Sequence, residues 1–290
     1  MILGWSHERI GLMADVTLSK GVRANLLQLQ RNEALRLQVA DRLATGRRVN
    51  RVADDPQDFY AGRAAGNRVG DLFDIKSGIN QALSSAEAAS VGLHAVEDLT
   101  RQLRGIATAA KGGTVEQRQA AAEQFDQIRS QLSSLAGDAS YAGVNLIDDP
   151  ADDQTTPVGD LSGAEITVEG GASSSDALGI GTAGGDYNGF ATDADIDAAL
   201  TDLAGATRQV RSTTQRVGAD IAALTTRGKF TQDLSSTLQA AEDKLTGADL
   251  NEDAARQVAL QLQDRFATAG LRFTVRTESL VADLLNSGRP

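Results

Sequence analysis

The sequence predicts a mainly α protein: an elongated antiparallel bundle of long helices, coiled-coil in part, with a short β-hairpin-rich middle segment. Three observations predict it. Apolar residues recur in alternating steps of three and four over most of the chain, the signature of helices that pair along a narrow stripe. Aromatic residues make up only 4% of 290 residues, while Gly, Ala, Ser and Thr abound, which suits helices packed through small side chains. The pattern breaks once, in a Gly-, Asp-, Ser- and Thr-rich stretch near the centre.

The first helical pattern covers residues 1–50. Val22, Leu26, Leu29, Leu37, Ala40 and Leu43 form a stripe whose surroundings are polar, so it reads as a pairing helix rather than a core helix. Gly46 suits a helix C-terminus. Residues 46–55 form a connector, and Asp54 or Asp55 before Pro56 caps the next helix.

Residues 51–137 follow as the first half of a helical body. Ile75, Ile79, Ala82, Ala86, Ala89, Leu93, Val96, Leu103, Ala107 and Ala110 keep the rhythm, with Thr100 its one polar member. That span alone predicts a helix of about 53 Å. Ala121, Phe125, Ile128, Leu132 and Leu135 place a third helix ending near Gly137.

Residues 138–192 are the acidic middle. Tyr141–Ile147 and Ala164–Glu169 are its strand candidates. Asp138–Asp202 holds fourteen acidic residues and no Lys or Arg. Taking those fourteen from the net charge of −11 leaves the rest at +3. This segment reads as a solvated, loop-rich surface without a large core, so shortening Asp152–Gly185 is expected to leave assembly intact.

Residues 193–246 return to helix: Ile196, Leu200, Leu203, Val210, Val217, Ile221, Leu224, Leu238 and Leu245 share one phase. Residues 247–290 supply the last helix, capped by Asp249 or Asn251. Its stripe, Ala255, Ala259, Leu262, Phe266, Ala269 and Phe273, runs 4-3-4-3-4. The chain is expected to fold back at its middle, so that the two terminal helices pair with each other and with other molecules. The twelve stripe residues on those two helices form the predicted self-assembly seam.

Nothing in the sequence builds an active site. Gly179–Gly184 matches G-x-G-x-x-G, but lacks the strand–helix context in which that motif cradles a pyrophosphate. His7 and His94 are the only histidines, and there is no cysteine. The pairs Asp54-Asp55, Asp148-Asp149 and Asp152-Asp153 suit caps and turns. Catalytic, cofactor-binding and metal residues are therefore expected to be none. The acidic balance disfavours nucleic acid, and Arg47, Arg48 and Arg51 are too few to reverse that. No apolar run is long enough to insert into a membrane. The start shows no basic-then-apolar leader pattern, and Met13 offers a second candidate start.

Arg42–Val69, RLATGRRVNRVADDPQDFYAGRAAGNRV, resembles the N-terminal signature of bacterial flagellins, the subunits of the flagellar filament. Thr45, Gly46, Arg48, Val49, Asn50, Asp54 and Asp55 fall on the matching positions. Tyr141–Ile147 resembles the family's aromatic-Asn-Gly-Val segment, and Leu245–Leu271 its C-terminal segment. The resemblance spans roughly residues 15–147 and 193–285. It departs in the polar tail Asn286–Pro290, in the charges Arg272, Arg276 and Asp283, and in Gln102 and Gly105, where flagellins recognised by an innate immune receptor carry Arg and Glu.

The resemblance implies a non-enzymatic structural subunit, exported unfolded, that self-assembles into an extracellular filament for motility. The two terminal helices would form its inner domain, the long helices a second domain, and the middle would face solvent. Implied partners are other copies of the chain, the flagellar type III export apparatus, an export chaperone and a filament cap. Two alternatives share parts of the pattern: a hook–filament junction protein of the same superfamily, and a non-flagellar coiled-coil binding protein.

Overall fold

Five helices and one hairpin follow the order read from the pattern. The computed structural model describes residues 20–159 and 163–287, so Met13 lies outside the described residues. The helices are α1 (Lys20–Thr45), α2 (Pro56–Ala110), α3 (Val115–Asp138), α4 (Asp193–Thr246) and α5 (Leu250–Ser287). Between α3 and α4 lie strands β1 (Gln154–Pro157) and β2 (Glu165–Val168), then a 3-10 turn at Asn188–Phe190. The chain divides into two compact units. One takes the described parts of Met1–Gly62 and Glu242–Pro290, the other Arg63–Ala241.

Helix ends follow local chemistry. Asp55, not Asp54, caps α2: its Oδ1 accepts from Asp58 N at 3.1 Å, and Pro56 occupies the first helical position. Thr114 and Gln117 form a reciprocal capping box at α3. Asp249 caps α5 by accepting from Asn251 N and Glu252 N.

In the larger unit, every α2 stripe residue from Ile75 to Ala110 is buried, Thr100 included. The Thr100 hydroxyl donates to Val96 O at 2.8 Å, so its burial leaves no unmet donor. Ile196, Leu203, Val210, Val217 and Leu224 of α4 face the same core, and Phe125 and Leu132 of α3 close it. Lys76 meets Gln232, Glu97 meets Arg211, and Lys111 meets Asp197. Each step up α2 is thus an equal step down α4, an antiparallel pairing held in one register.

The middle segment departs from expectation. β1 and β2 pair antiparallel, with Thr155 opposite Thr167. β2 lies within the predicted Ala164–Glu169. The other predicted strand does not form: Tyr141 and Val144 close a tight turn by mutual backbone bonds. Nor does the segment merely face solvent. Leu146, Ile147, Val158, Val168, Leu178, Ile180, Ala183, Tyr187 and Phe190 are all buried in the core shared with α2, α3 and α4. Phe125 makes T-shaped ring contacts with Tyr187 and Phe190 at centroid distances of 6.0 and 5.4 Å. Tyr187 donates to Asp202 at 2.8 Å, and burial pushes its hydroxyl well above the usual tyrosine range. The physical reason for the difference is that single large side chains between glycines and acids have no period, yet each fills a gap between helices.

The Gly179–Gly184 loop spends its amides on this chain's own groups. Ala183 N and Gly184 N donate to the Asp126 carboxylate at 2.6 and 3.2 Å. Thr182 N donates to Asp186, and Gly181 N to the Tyr187 hydroxyl. The Arg129 guanidinium donates to Ile180 O and pairs with Asp176. The loop is a clasp onto α3.

Candidate functional site

In the smaller unit, α1 and α5 pack against each other, as the paired stripes predicted. The residues that meet are mostly not the predicted ones. On α1 the buried and half-buried positions are Val22, Asn25, Leu29, Asn32, Arg36 and Val39, then Asp41, Arg42 and Leu43 together near its C-terminal end. On α5 they are Asp253, Gln257, Leu260, Asp264, Ala267, Leu271 and Thr274. The α5 set, and the α1 set from Val22 to Val39, alternate by three and four, so this is a two-helix seam.

Three predicted α1 residues, Val22, Leu29 and Leu43, lie on it. Leu26, Leu37 and Ala40 are exposed. On α5 the offset is complete. Ala255, Ala259, Leu262, Phe266, Ala269 and Phe273 are all exposed, Phe266 at 68% and Phe273 at 71%. They sit two residues along from the seam positions, a rotation of about 200° at 100° per residue, and form a second stripe opposite α1. The predicted α5 stripe therefore lies outside the intramolecular contact. The sequence pattern found the strongest apolar rhythm, and the helix turns that rhythm outward.

The seam α1 shares with α5 is polar. Asn32 is 1% exposed and Asp253 5%. Asn32 Oδ1 accepts from Gln28 Nε2 of its own helix at 2.9 Å. Asn32 Nδ2, Gln257 Oε1 and Asp264 Oδ1 are buried without a hydrogen-bond partner, as is Arg42 Nε nearby. Sequence reading missed these positions because Asn, Gln and Asp look like surface residues. Their shared 3-4 spacing with Leu29, Val39 and Leu260 was the available signal.

Where α1 gives way to α2, residues 46–50 are fastened to the end of α4. Gly46 takes a left-handed φ of 68°, which favours glycine. Arg48 N and Val49 N both donate to Thr246 O, at 2.7 and 3.3 Å, and Ala248 N donates to Gly46 O. The Arg48 guanidinium reaches Asp58 at 2.5 Å and Leu245 O at 2.7 Å. Val49 is buried. Asn50 Nδ2 donates to Thr45 Oγ1 and Asp41. Asp54 accepts from Arg51 N and Asn50 N, which holds its carboxyl below the usual carboxylate range. The segment read as a connector is a knot of directed bonds, and each residue of the quoted signature has a task in it.

This clasped pair of helices ending in a signature-built knot can be set beside known proteins. Residues 22–152 match the model of the bacterial flagellin N-terminal helical region. Over that stretch, just under half of its length, the chain is similar to flagellins. Flagellin FljM of Caulobacter vibrioides is 23% identical over 275 residues, covering 93% of this chain and 98% of that one. Flagellin FljO of the same organism is 23% identical, covering 85% and 89%. A flagellin of Escherichia coli is 26% identical over 186 residues, which span 62% of this chain and 32% of that longer protein. The crystal structure of Bacillus cereus flagellin aligns with a TM-score of 0.45 at 18% identity, over 53% of this chain and 88% of that one. These similarities support a structural subunit of the bacterial flagellar filament. Among the described residues no helix is long and apolar enough to cross a membrane.

Proposed function

We propose that this chain is a flagellin that polymerises through its terminal helices, with the exposed α5 stripe as the self-assembly seam. Ala255, Ala259, Leu262, Phe266, Ala269 and Phe273 would pack against other copies, joined by Leu26, Leu37 and Ala40 of α1. The observation that carries the reading is the exposure of a heptad-spaced apolar stripe on the face away from α1. Leaving Phe266 and Phe273 in water forfeits their transfer energy, roughly 1.5–3 kcal/mol each if fully buried. A neighbouring helix with the same rhythm recovers it.

On this reading residues 1–50 and 247–290 work together as the inner, pairing domain. Residues 51–137 and 193–246 are the two halves of the helical body, and 138–192 its acidic, hairpin-bearing cover. The subunit has no catalytic role. It leaves the cell unfolded through the flagellar type III export apparatus, escorted by an export chaperone, and is added beneath a filament cap outside the cell. The absence of cysteine suits such a passage, since no disulfide must be broken or remade. The test is electron microscopy of the purified protein after seeding: filaments are expected, and Phe266→Ser with Phe273→Ser should abolish them while the free subunit stays folded. Filaments of unchanged length from the double variant would move the seam elsewhere.

A further inference from the structure

We infer that Asn188–Gly189 is a site of spontaneous covalent modification, deamidation through a cyclic imide, that the folded turn holds shut. Asn188 is the chain's one asparagine followed by glycine. A side chain on the following residue shields the backbone nitrogen that must attack, and glycine has none. The reaction needs only water. Gly189 N bonds to Asn188 Cγ, the Cγ–Nδ2 bond breaks, and Nδ2 leaves as ammonia with the amide proton of Gly189. Water then opens the imide at one of its two carbonyls. One opening gives aspartate. The other gives isoaspartate, in which the main chain runs through the former side chain and gains a carbon.

Asn188 is exposed, so water and base reach it. The turn withholds the nucleophile instead. Gly189 N donates to Ala183 O at 2.7 Å, which keeps its proton in place and its orientation fixed. Phe190 N and Ala191 N donate to Tyr187 O and Asn188 O at 2.8 and 3.2 Å. Asn188, Gly189 and Phe190 take consecutive left-handed φ values of 48°, 62° and 59°, a run that residues with side chains rarely adopt. It persists because Tyr187 and Phe190 are buried on either side and both pack on Phe125. The Asp195 carboxyl is held below its usual range chiefly by the Thr192 hydroxyl and amide, and the Asn188 side chain adds to this. Deamidation would therefore set a second carboxylate beside Asp195, and isoaspartate would lengthen the tether between the two rings. In the unfolded chain none of these bonds exists, and the reaction is open. A subunit that travels unfolded is exposed to it only before folding, a consequence that rests on the export reading above.

The test incubates the full chain in mildly alkaline buffer, with and without guanidinium chloride, and maps its peptides by mass spectrometry. In denaturant, Asn188 is expected to convert before every other asparagine. In buffer it should convert at least about tenfold more slowly, because attack then waits on local opening of the turn. Tyr187→Phe keeps the ring but removes the hydroxyl bonded to Gly181 N and Asp202. It should raise the rate in buffer and leave the rate in denaturant unchanged. The isoaspartate form, separated and returned to buffer, should unfold at lower denaturant than the parent. Equal rates in buffer and denaturant would show that the turn does not close the site. Earlier conversion at another asparagine would show that the site is misplaced. Either result overturns the inference, and neither depends on whether the chain forms filaments.

Discussion

Ala86 shows how tightly single side chains are set. It is fully buried in the α2 stripe, where its methyl group sets how closely neighbouring groups approach. Ala86→Leu should overpack the core and cost roughly 1–3 kcal/mol, read as a lower midpoint in thermal or denaturant unfolding. Gly92 makes the same point with backbone. A Cβ there would meet Ile147 Cδ1 at 2.6 Å and Ala139 Cβ at 2.8 Å, so the segment after α3 lies almost against α2. Asp54 gives the residue scale a pH dependence. Bonds from Arg51 N and Asn50 N depress its pKa below the ordinary 3.8. Its contribution is therefore complete above that value and is lost as pH falls through the lower, folded one. The amide signals of Asn50 and Arg51 are expected to move only below pH 3.8, and Asp54→Asn should remove the titration without waiting for acid.

Elements differ in how far the sequence foretold them. α2 and α4 were legible to within a residue or so, because Ile79, Leu93, Leu103, Leu203 and Val210 are buried by their own chain and the period records that burial. α5 was legible as a helix but not in its facing. A stripe reports that a face will be covered, not by whom, and Phe266 outweighs Asp264 in any apolar pattern. The middle was legible least. Val158, Ile180 and Phe190 stand alone among glycines and acids, so their burial leaves no rhythm to find. Replacing Asp152–Gly185 with a Gly/Ser linker tests this element directly. The sequence pattern alone expected assembly to survive. The structure predicts the loss of Val158, Val168, Leu178, Ile180 and Ala183 from the shared core, and a variant that unfolds at markedly lower denaturant or not cooperatively at all. Unchanged unfolding would make the middle a passive cover.

For the whole molecule, the contrast lies between an apolar core in Arg63–Ala241 and a polar seam between α1 and α5. Stability is not uniform across such a chain, and opening free energies follow local burial. Hydrogen exchange of the free subunit should be slow in the buried stripes of α2 and α4 and much faster along α1 and α5. In filaments the terminal helices should approach the protection of the rest. Equal protection of α1 and α5 in both states would mean that assembly adds nothing to them, and the outward stripe would lose its explanation.

The register between α2 and α4 bears on how such a chain can change length. Lys76 with Gln232, Glu97 with Arg211 and Lys111 with Asp197 lie on one common ruler, though the residues come from opposite halves of the sequence. Losing one residue from either helix turns every later side chain by about 100° and pulls the remaining pairs apart. Losing seven restores the facing but leaves the two rulers unequal. Only matched heptads, removed from both halves together, keep both phase and length. Two stretches of gene separated by the codons for residues 111–192 are thus bound to grow or shrink in step, while the acidic segment between them is held to the helices only where its isolated large side chains enter the core.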